Sequence, residues 1–175
     1  TTKQSGLQFL HQEADFVDFN LQRQLPHKFS QTGPALASAD LNGDGLTDLV
    51  VGGSAPYPSV IFFQQPGQTF TPRLLAESLK QLADDASICV FDANGDKHPD
   101  LYIARGGMEL PKGDKGYADQ LFINDGKGNF QIDSAALPGI YASKSSVKSA
   151  DIDGDGDLDL FVGGAVVPVY YTHLA

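Results

Sequence analysis

An acidic nine-residue loop occurs three times in this chain, and each copy runs directly into a short apolar segment. The loops cover residues 40–48, 92–100 and 151–159. Their first residues lie 52 and 59 positions apart, a spacing that is typical of propeller blades and other repeat arrays. We therefore expect the chain to be built from repeated units of one kind, each marked by one loop.

The sequence between the loops indicates about four strands in each repeat. In the second interval, the run 120–124 is followed by the turn Asp-Gly-Lys-Gly at 125–128 and by the run 129–133. Short apolar runs that flank Asp-Gly and Lys-Gly pairs predict β-hairpins. The strands that lead into the loops are expected at residues 35–39, 87–91 and 146–150. The sequence thus predicts an all-β chain of propeller-type blades.

This interpretation divides the chain into four parts. Residues 1–34 form a leading segment, where alternation around Phe16, Val17 and Phe19 predicts a strand that packs on the blades. Two complete blades follow, and then part of a third. A closed ring usually needs about 4–8 blades. We therefore expect a partial propeller, or a ring that is completed by homo-oligomerisation. The predicted blades cover residues 35–86, 87–145 and 146–175.

Oxygen-bearing side chains recur at positions 1, 3, 5 and 9 of each loop, and position 7 would offer its backbone carbonyl. Such all-oxygen sets, without cysteine or paired histidine, favour calcium over zinc or copper, whereas magnesium prefers a smaller octahedral shell. We predict up to three calcium ions. The predicted ligands are Asp40, Asn42, Asp44, Leu46 and Asp48, then Asp92, Asn94, Asp96, His98 and Asp100, and finally Asp151, Asp153, Asp155, Asp157 and Asp159.

Charge also favours a cation in these loops. Half of the 22 carboxylates of the chain lie within them, and like charges about 4 Å apart repel by about 1 kcal/mol even in water. The second loop departs from the pattern, because Lys97 replaces a glycine and Pro99 stiffens the backbone. We predict that this loop binds most weakly and that the aspartate-rich third loop binds most tightly.

Two other interpretations of the loops are open at this point. An EF-hand shares the early positions but needs a bidentate glutamate at position 12 and flanking helices. Position 12 here is Val51, Ile103 or Val162, each inside an apolar run. The loops could also be solvated acidic turns that bind no ion.

Two stretches closely resemble FG-GAP/VCBS repeats, the calcium-loop blades of integrin α-chain propellers and many secreted bacterial proteins. They are Ala-Asp-Leu-Asn-Gly-Asp-Gly-Leu-Thr-Asp-Leu-Val-Val-Gly-Gly at 39–53 and Gln-Leu-Phe-Ile-Asn-Asp-Gly-Lys-Gly-Asn-Phe at 120–130. Residues 25–35 look like the start of the first such repeat in bacterial VCBS proteins related to cartilage acidic protein. The resemblance covers roughly residues 7–168. It implies a calcium-stabilised β-propeller on an exported, often surface-attached protein, but no particular ligand.

The first functional hypothesis is a non-catalytic module. Calcium would hold the geometry of the blades, and a face of the propeller would contact a protein or a glycan in adhesion. An extracellular or cell-surface location is expected, because free calcium outside cells can saturate even weak sites.

The alternative is part of a calcium-dependent polysaccharide lyase or hydrolase. Its candidate residues stand in no recognised catalytic spacing, and spare carboxylates would have to fold together as an acid–base pair. Asp84 and Asp85 are instead expected in a solvated loop. The candidates are His11, His27, Lys28, Tyr117 and Tyr141, and the spare carboxylates are Glu13, Asp15, Asp18, Glu77 and Glu109.

Composition argues against several other classes of protein. The net charge is −10 and no basic stripe is present, so nucleic acid is not an expected partner. No apolar stretch is long enough to span a bilayer. Cys89 is the single cysteine, which excludes an internal disulfide, and its apolar surroundings predict a small buried side chain.

Overall fold

The structure is a computed structural model that describes residues 5–20, 23, 25–31, 33–76 and 80–165. Apart from two short 3-10 turns, its named elements are strands. Sheet 1 contains β1 to β4 in chain order, and neighbouring strands are antiparallel. These strands are β1 (Leu36–Ala39), β2 (Asp48–Val51), β3 (Val60–Gln65) and β4 (Thr69–Leu74).

Sheet 2 repeats the same arrangement with β5 to β8, and among the described residues sheet 3 contains β9 and β10. The prediction of an all-β chain made of propeller-type blades, two complete and one partial, is confirmed. The strands are β5 (Asp84–Phe91), β6 (Asp100–Gly106), β7 (Gln120–Asn124), β8 (Phe130–Ile132), β9 (Lys144–Ala150) and β10 (Asp159–Gly164), and the 3-10 turns are Asp18–Asn20 and Lys115–Tyr117.

The sheets stack face to face, with sheet 2 in the middle. Every residue of β6 is buried, because its side chains alternate between two covered faces. Leu101 and Ile103 join the core between sheets 1 and 2, which also contains Val50 and Phe122. Tyr102 and Ala104 join the core between sheets 2 and 3, together with Cys89, Leu121 and Val147. The buried position predicted for Cys89 is therefore confirmed.

The strands that precede the second and third loops begin earlier than the sequence predicts. β5 starts at Asp84, where Asp84 and Asp85 pair with Gly106 and Arg105 before a bulge shifts the register at Ser87. The prediction that Asp84 and Asp85 form a solvated loop is wrong. Asp85 is 2% exposed and bonds to Arg105, so an ion pair stabilises a carboxylate inside the fold.

The described part of the leading segment contacts sheet 1 and contains no strand. The strand predicted around Phe16, Val17 and Phe19 is absent from the described residues, and a 3-10 turn lies at Asp18–Asn20 instead. The reason is the buried Asp18 carboxylate, which accepts hydrogen bonds from the backbone N–H groups of Phe29 and Ser30 and bends the chain back on itself. The ring of Phe9 meets the ring of Phe62 edge-on, with 6.0 Å between centroids.

Part of the leading segment and residues 166–175 of the predicted third blade lie outside the described residues. Within the described part of the chain, no helix is both long and apolar enough to cross a membrane.

Candidate metal centre

All three acidic loops join the first two strands of a sheet. The first loop connects β1 to β2, the second connects β5 to β6, and the third connects β9 to β10. Because the sheets repeat one topology, the loops occupy equivalent places in their blades.

The carboxylate at position 1 shapes each loop. In the first loop, Asp40 Oδ1 accepts the N–H of Gly43 at 2.8 Å and Asp40 Oδ2 accepts the N–H of Gly45 at 2.8 Å. Asp92 and Asp151 make the corresponding bonds in their loops. Gly43 and Gly45 have φ angles of 75° and 80°, which a side chain would disfavour. The loop backbone thus curls around its first aspartate.

The third loop brings three carboxylates together. Oxygens of Asp151, Asp153 and Asp159 lie within 4.8 Å of one another, and all three side chains are exposed. This all-oxygen donor set fits a hard cation such as calcium. In the first two loops, position 3 is an asparagine whose amide donates to the aspartate at position 5, at 3.0 Å for Asn42 to Asp44 and 2.9 Å for Asn94 to Asp96. Because asparagine is neutral, these two loops carry one negative charge fewer at position 3 than the third loop, which has Asp153 there.

Position 9 has a structural role that its sequence position does not reveal. The carboxylate of Asp100 is fully buried and accepts two backbone N–H groups, from Ala93 at 2.8 Å and from Asn124 at 2.8 Å. Asp48 does the same in sheet 1. Burial raises the pKa of both aspartates, although these hydrogen bonds act in the opposite direction. Asp159 is exposed and accepts the N–H of Ile152 at 3.0 Å.

Lys97 adopts the backbone conformation that glycine holds in the other loops. Its φ angle is 68°, in the left-handed region, which costs a non-glycine residue about 1–2 kcal/mol. The backbone of the second loop is therefore strained at Lys97.

Asn124 links two of the loops, and the sequence reasoning missed it. Its side chain is 1% exposed and donates to the carbonyls of Leu41 at 2.8 Å and of Pro99 at 3.0 Å, in the first and second loops. The same side chain accepts N–H groups from the β7–β8 turn. The only sequence signal is an asparagine before an Asp-Gly turn, which by itself indicates a hairpin and nothing more.

Two buried ion pairs involve residues at equivalent positions in sheets 2 and 3. Asp85 and Lys144 each lie seven residues before the first aspartate of a loop. Asp85 pairs with Arg105, and Lys144 pairs with Asp119 at 3.1 Å. The first pair lies between neighbouring strands of sheet 2, whereas the second connects β9 of sheet 3 to the residue before β7 of sheet 2. Neither pair could be assigned from sequence, since isolated charged residues are usually exposed.

Four of the five residues considered for catalysis have local hydrogen-bond partners. His11 Nε2 lies 2.8 Å from Glu13 Oε1, and His27 Nδ1 lies 2.7 Å from the carbonyl oxygen of Lys28. Tyr117 donates its hydroxyl within its own loop, and Tyr141 is 37% exposed. In the part of the chain that the structure describes, no hydrogen bond joins the side chains of these five residues.

Burial raises the pKa of two carboxylates outside the loops, Glu109 and Asp84. Burial, reinforced by the nearby Asp84 carboxylate, raises the pKa of Glu109 to about 7, and burial raises the pKa of Asp84 to about 6. Among the described residues, Glu109 Oε2 is buried without a hydrogen-bond partner. Asp15 is exposed, Glu13 contacts His11, Asp18 is buried, and Glu77 lies outside the described residues.

Glu109 predicts a pH-dependent stability. Because its pKa is higher in the folded chain, the folded state is favoured at low pH, and this contribution is lost as the pH rises from about 4.5 to about 7. We expect Glu109→Gln to be more stable than the parent near pH 8 and to show a flatter profile from pH 5 to 8. Urea unfolding in chelator measures this. Asp15→Asn, at an exposed carboxylate, is the control, and an equal flattening by both variants would contradict the prediction.

Comparison with protein families identifies a repeat family. The model described as FG-GAP-like repeat matches residues 40–103 and 110–162, which together make up well over half of the chain and include all three loops. No curated protein matches the chain at a significant level.

Proposed function

The chain belongs to the FG-GAP-like repeat family, and from this we propose that it is a calcium-stabilised propeller module that acts by binding rather than by catalysis. The partner would be a protein or a glycan contacted in adhesion. The VCBS-like features of the sequence support calcium loops of the kind found in exported proteins.

The third loop carries this proposal. Three exposed carboxylates, Asp151, Asp153 and Asp159, place oxygens within 4.8 Å of one another. Such closely spaced like charges repel, and a divalent cation would turn this repulsion into attraction. These residues would hold the ion, with Asp155 and Asp157 of the same loop. Bound calcium would supply the positive charge that fixes the loop.

The other two loops would also bind calcium, but more weakly than the third. The first loop has the same backbone hydrogen bonds but an Asn42–Asp44 contact in place of a bare carboxylate. The second loop has the equivalent contact and the strained Lys97 in addition. We therefore propose that affinity decreases from the third loop to the first and then to the second.

Bound calcium would fix the conformation of the loops that join the first two strands of each blade. The first two loops end in the buried aspartates Asp48 and Asp100, and both loops are bonded to Asn124, which connects two blades. Fixing the loops would therefore fix the blades that present a surface to the partner. An extracellular location follows, since calcium there reaches concentrations that fill weak sites. The net charge of −10 makes nucleic acid an unsuitable partner.

A calcium titration followed by thermal unfolding tests the proposal. Binding to the folded state alone adds about 2.7 kcal/mol at a concentration 100-fold above the dissociation constant, so we expect a rise in the unfolding midpoint of several degrees. Chelator should reverse the rise. Magnesium at equal concentration should give a smaller one, because it retains its waters. If the unfolding midpoint were the same in calcium and in chelator, the proposal that calcium stabilises this chain would be wrong.

Two single-loop variants test the ranking in the same titration. Asp155→Ala should remove the tightest calcium-binding step, and Asp96→Ala should remove the weakest. If both variants lost equal calcium affinity, the ranking of the loops would be wrong. The proposal that the loops bind calcium would still stand.

A further inference from the structure

Asparagine followed by glycine occurs at the same place in two of the acidic loops. Asn42–Gly43 and Asn94–Gly95 are positions 3 and 4 of the first and second loops, whereas the third loop has Asp153 at position 3. Asparagine is among the chemically labile residues of proteins. A following glycine increases this lability, because it has no Cβ to shield its backbone nitrogen. Both pairs are therefore candidate sites of covalent change.

The change at such a pair is deamidation. The backbone nitrogen of the glycine loses its proton to water and forms a bond to the side-chain carbonyl carbon of the asparagine. The bond from that carbon to the side-chain nitrogen breaks, and ammonia leaves after taking up a proton. Water then opens the resulting cyclic imide to aspartate or isoaspartate. Either product carries a carboxylate where the chain had a neutral amide, so the local electrostatics change.

Hydrogen bonds within the folded loops oppose this reaction at both pairs. The glycine N–H donates to the aspartate at position 1, at 2.8 Å for Gly43 and 2.8 Å for Gly95. The asparagine side chain exchanges two hydrogen bonds with the aspartate at position 5. The nitrogen can attack only after these bonds break, so the reaction requires local opening of the loop. The two rates therefore depend on how readily each loop opens.

The first loop is anchored close to Asn42. The preceding residue, Leu41, is fully buried in the core between sheets 1 and 2, and its carbonyl accepts the Asn124 amide at 2.8 Å. A Cβ atom placed on Gly43 would lie 3.2 Å from the carbonyl oxygen of Gly126, in the β7–β8 turn. Asn42 itself is half-buried. Opening of this loop would disturb a buried apolar contact and a buried hydrogen bond.

The second loop lacks these anchors at Asn94. Its residue at position 2 is Ala93, which is exposed, as Asn94 is. A Cβ atom placed on Gly95 would meet no atom within 4 Å beyond its chain neighbours. Lys97 strains the folded loop through its left-handed backbone. The contact of this loop with the β7–β8 turn comes from His98, on the side that leads to β6. The second loop therefore opens more easily at its asparagine than the first.

We propose that Asn94–Gly95 is a deamidation site of the folded chain and that the fold shields the equivalent pair in the first loop. The conversion removes the amide that donates to Asp96 at 2.9 Å and adds a negative charge to the second loop. The aspartate product has the carboxylate that Asp153 supplies in the third loop. A consequence that rests on the proposed function is tighter calcium binding by the second loop after this conversion.

Peptide mapping by mass spectrometry tests the site. The full chain is incubated in chelator at mildly alkaline pH, and the conversion of each asparagine is followed with time. In the folded chain we expect Asn94 to convert at least about threefold faster than Asn42, because each rate follows the local opening of its loop. In guanidinium chloride the two should convert at similar rates. Asn129, which precedes Phe130, should be slower there than either.

Two matched variants control this measurement. Asn94→Gln should remove the early appearance of a more acidic species on ion-exchange chromatography, and Asn42→Gln should leave it. The proposal is overturned if Asn42 converts as fast as Asn94 in the folded chain. It is also overturned if neither converts there while both convert in denaturant.

A calcium titration of Asn94→Asp, which has the aspartate product, tests the consequence separately. We expect this variant to bind calcium more tightly than the parent chain. If the parent binds calcium and the variant binds it no more tightly, the consequence is wrong. If neither chain binds calcium, the proposed function fails, whereas the rates measured in chelator still decide whether Asn94 is the site.

Discussion

Replacement of Asp100 by alanine is expected to lower the free energy of unfolding by about 2–4 kcal/mol in the presence of chelator. The substitution leaves the buried N–H of Asn124 without an acceptor, at about 1–3 kcal/mol, and removes a partly buried bond from Ala93, worth about 1 kcal/mol. The loss arises without any metal, because this carboxylate joins the loop to β7. Urea unfolding measures it.

Asp159→Ala is the matched control, since Asp159 stands at the same position of the third loop. Its carboxylate is exposed and accepts one exposed N–H, so we expect a loss of at most about 1 kcal/mol in chelator. If the two variants lost equal stability in chelator, position 9 would have no structural role of its own. In calcium, by contrast, both variants should bind fewer ions.

The second large effect is expected from Arg105→Ala, at about 3–5 kcal/mol. The substitution removes the cationic partner of Asp85, which is 2% exposed, and a buried charge without its counterion is strongly destabilising. Asp85 keeps the N–H of Gly53 at 2.7 Å and the amide of Gln81 at 3.0 Å, which sets the loss within this range rather than above it. Chemical unfolding at neutral pH measures the change.

Arg73→Ala and a double variant complete this experiment. Arg73 is exposed and lies over the Phe63 ring at 4.5 Å, so its removal should cost less than about 1 kcal/mol. Asp85→Asn combined with Arg105→Met should lose less than the sum of the two single changes, by about 0.5–3 kcal/mol, because the residues interact directly. Strict additivity would show that the ion pair contributes no coupling energy.

The sequence predicted those features that depend on neighbouring residues. The nine-residue spacing marks the loops, and the Asp-Gly and Lys-Gly pairs mark the β7–β8 hairpin, because turn geometry depends on a few adjacent residues. The same local reasoning failed at Phe16, Val17 and Phe19. There, a hydrogen bond from Phe29 to Asp18 closes a loop across eleven residues and overrides the alternating pattern.

Sequence alone therefore determined the repeated blade, the antiparallel hairpins and the oxygen-rich loops. Only the tertiary structure decided which polar groups are buried. Asn124 reaches Leu41 across 83 residues, and Arg105 reaches Asp85 across 20. The physical reason is that burying a charge or an amide is favourable only when its partner is also in place. These partners are far apart in sequence and come into contact only when the strands pair and the sheets stack.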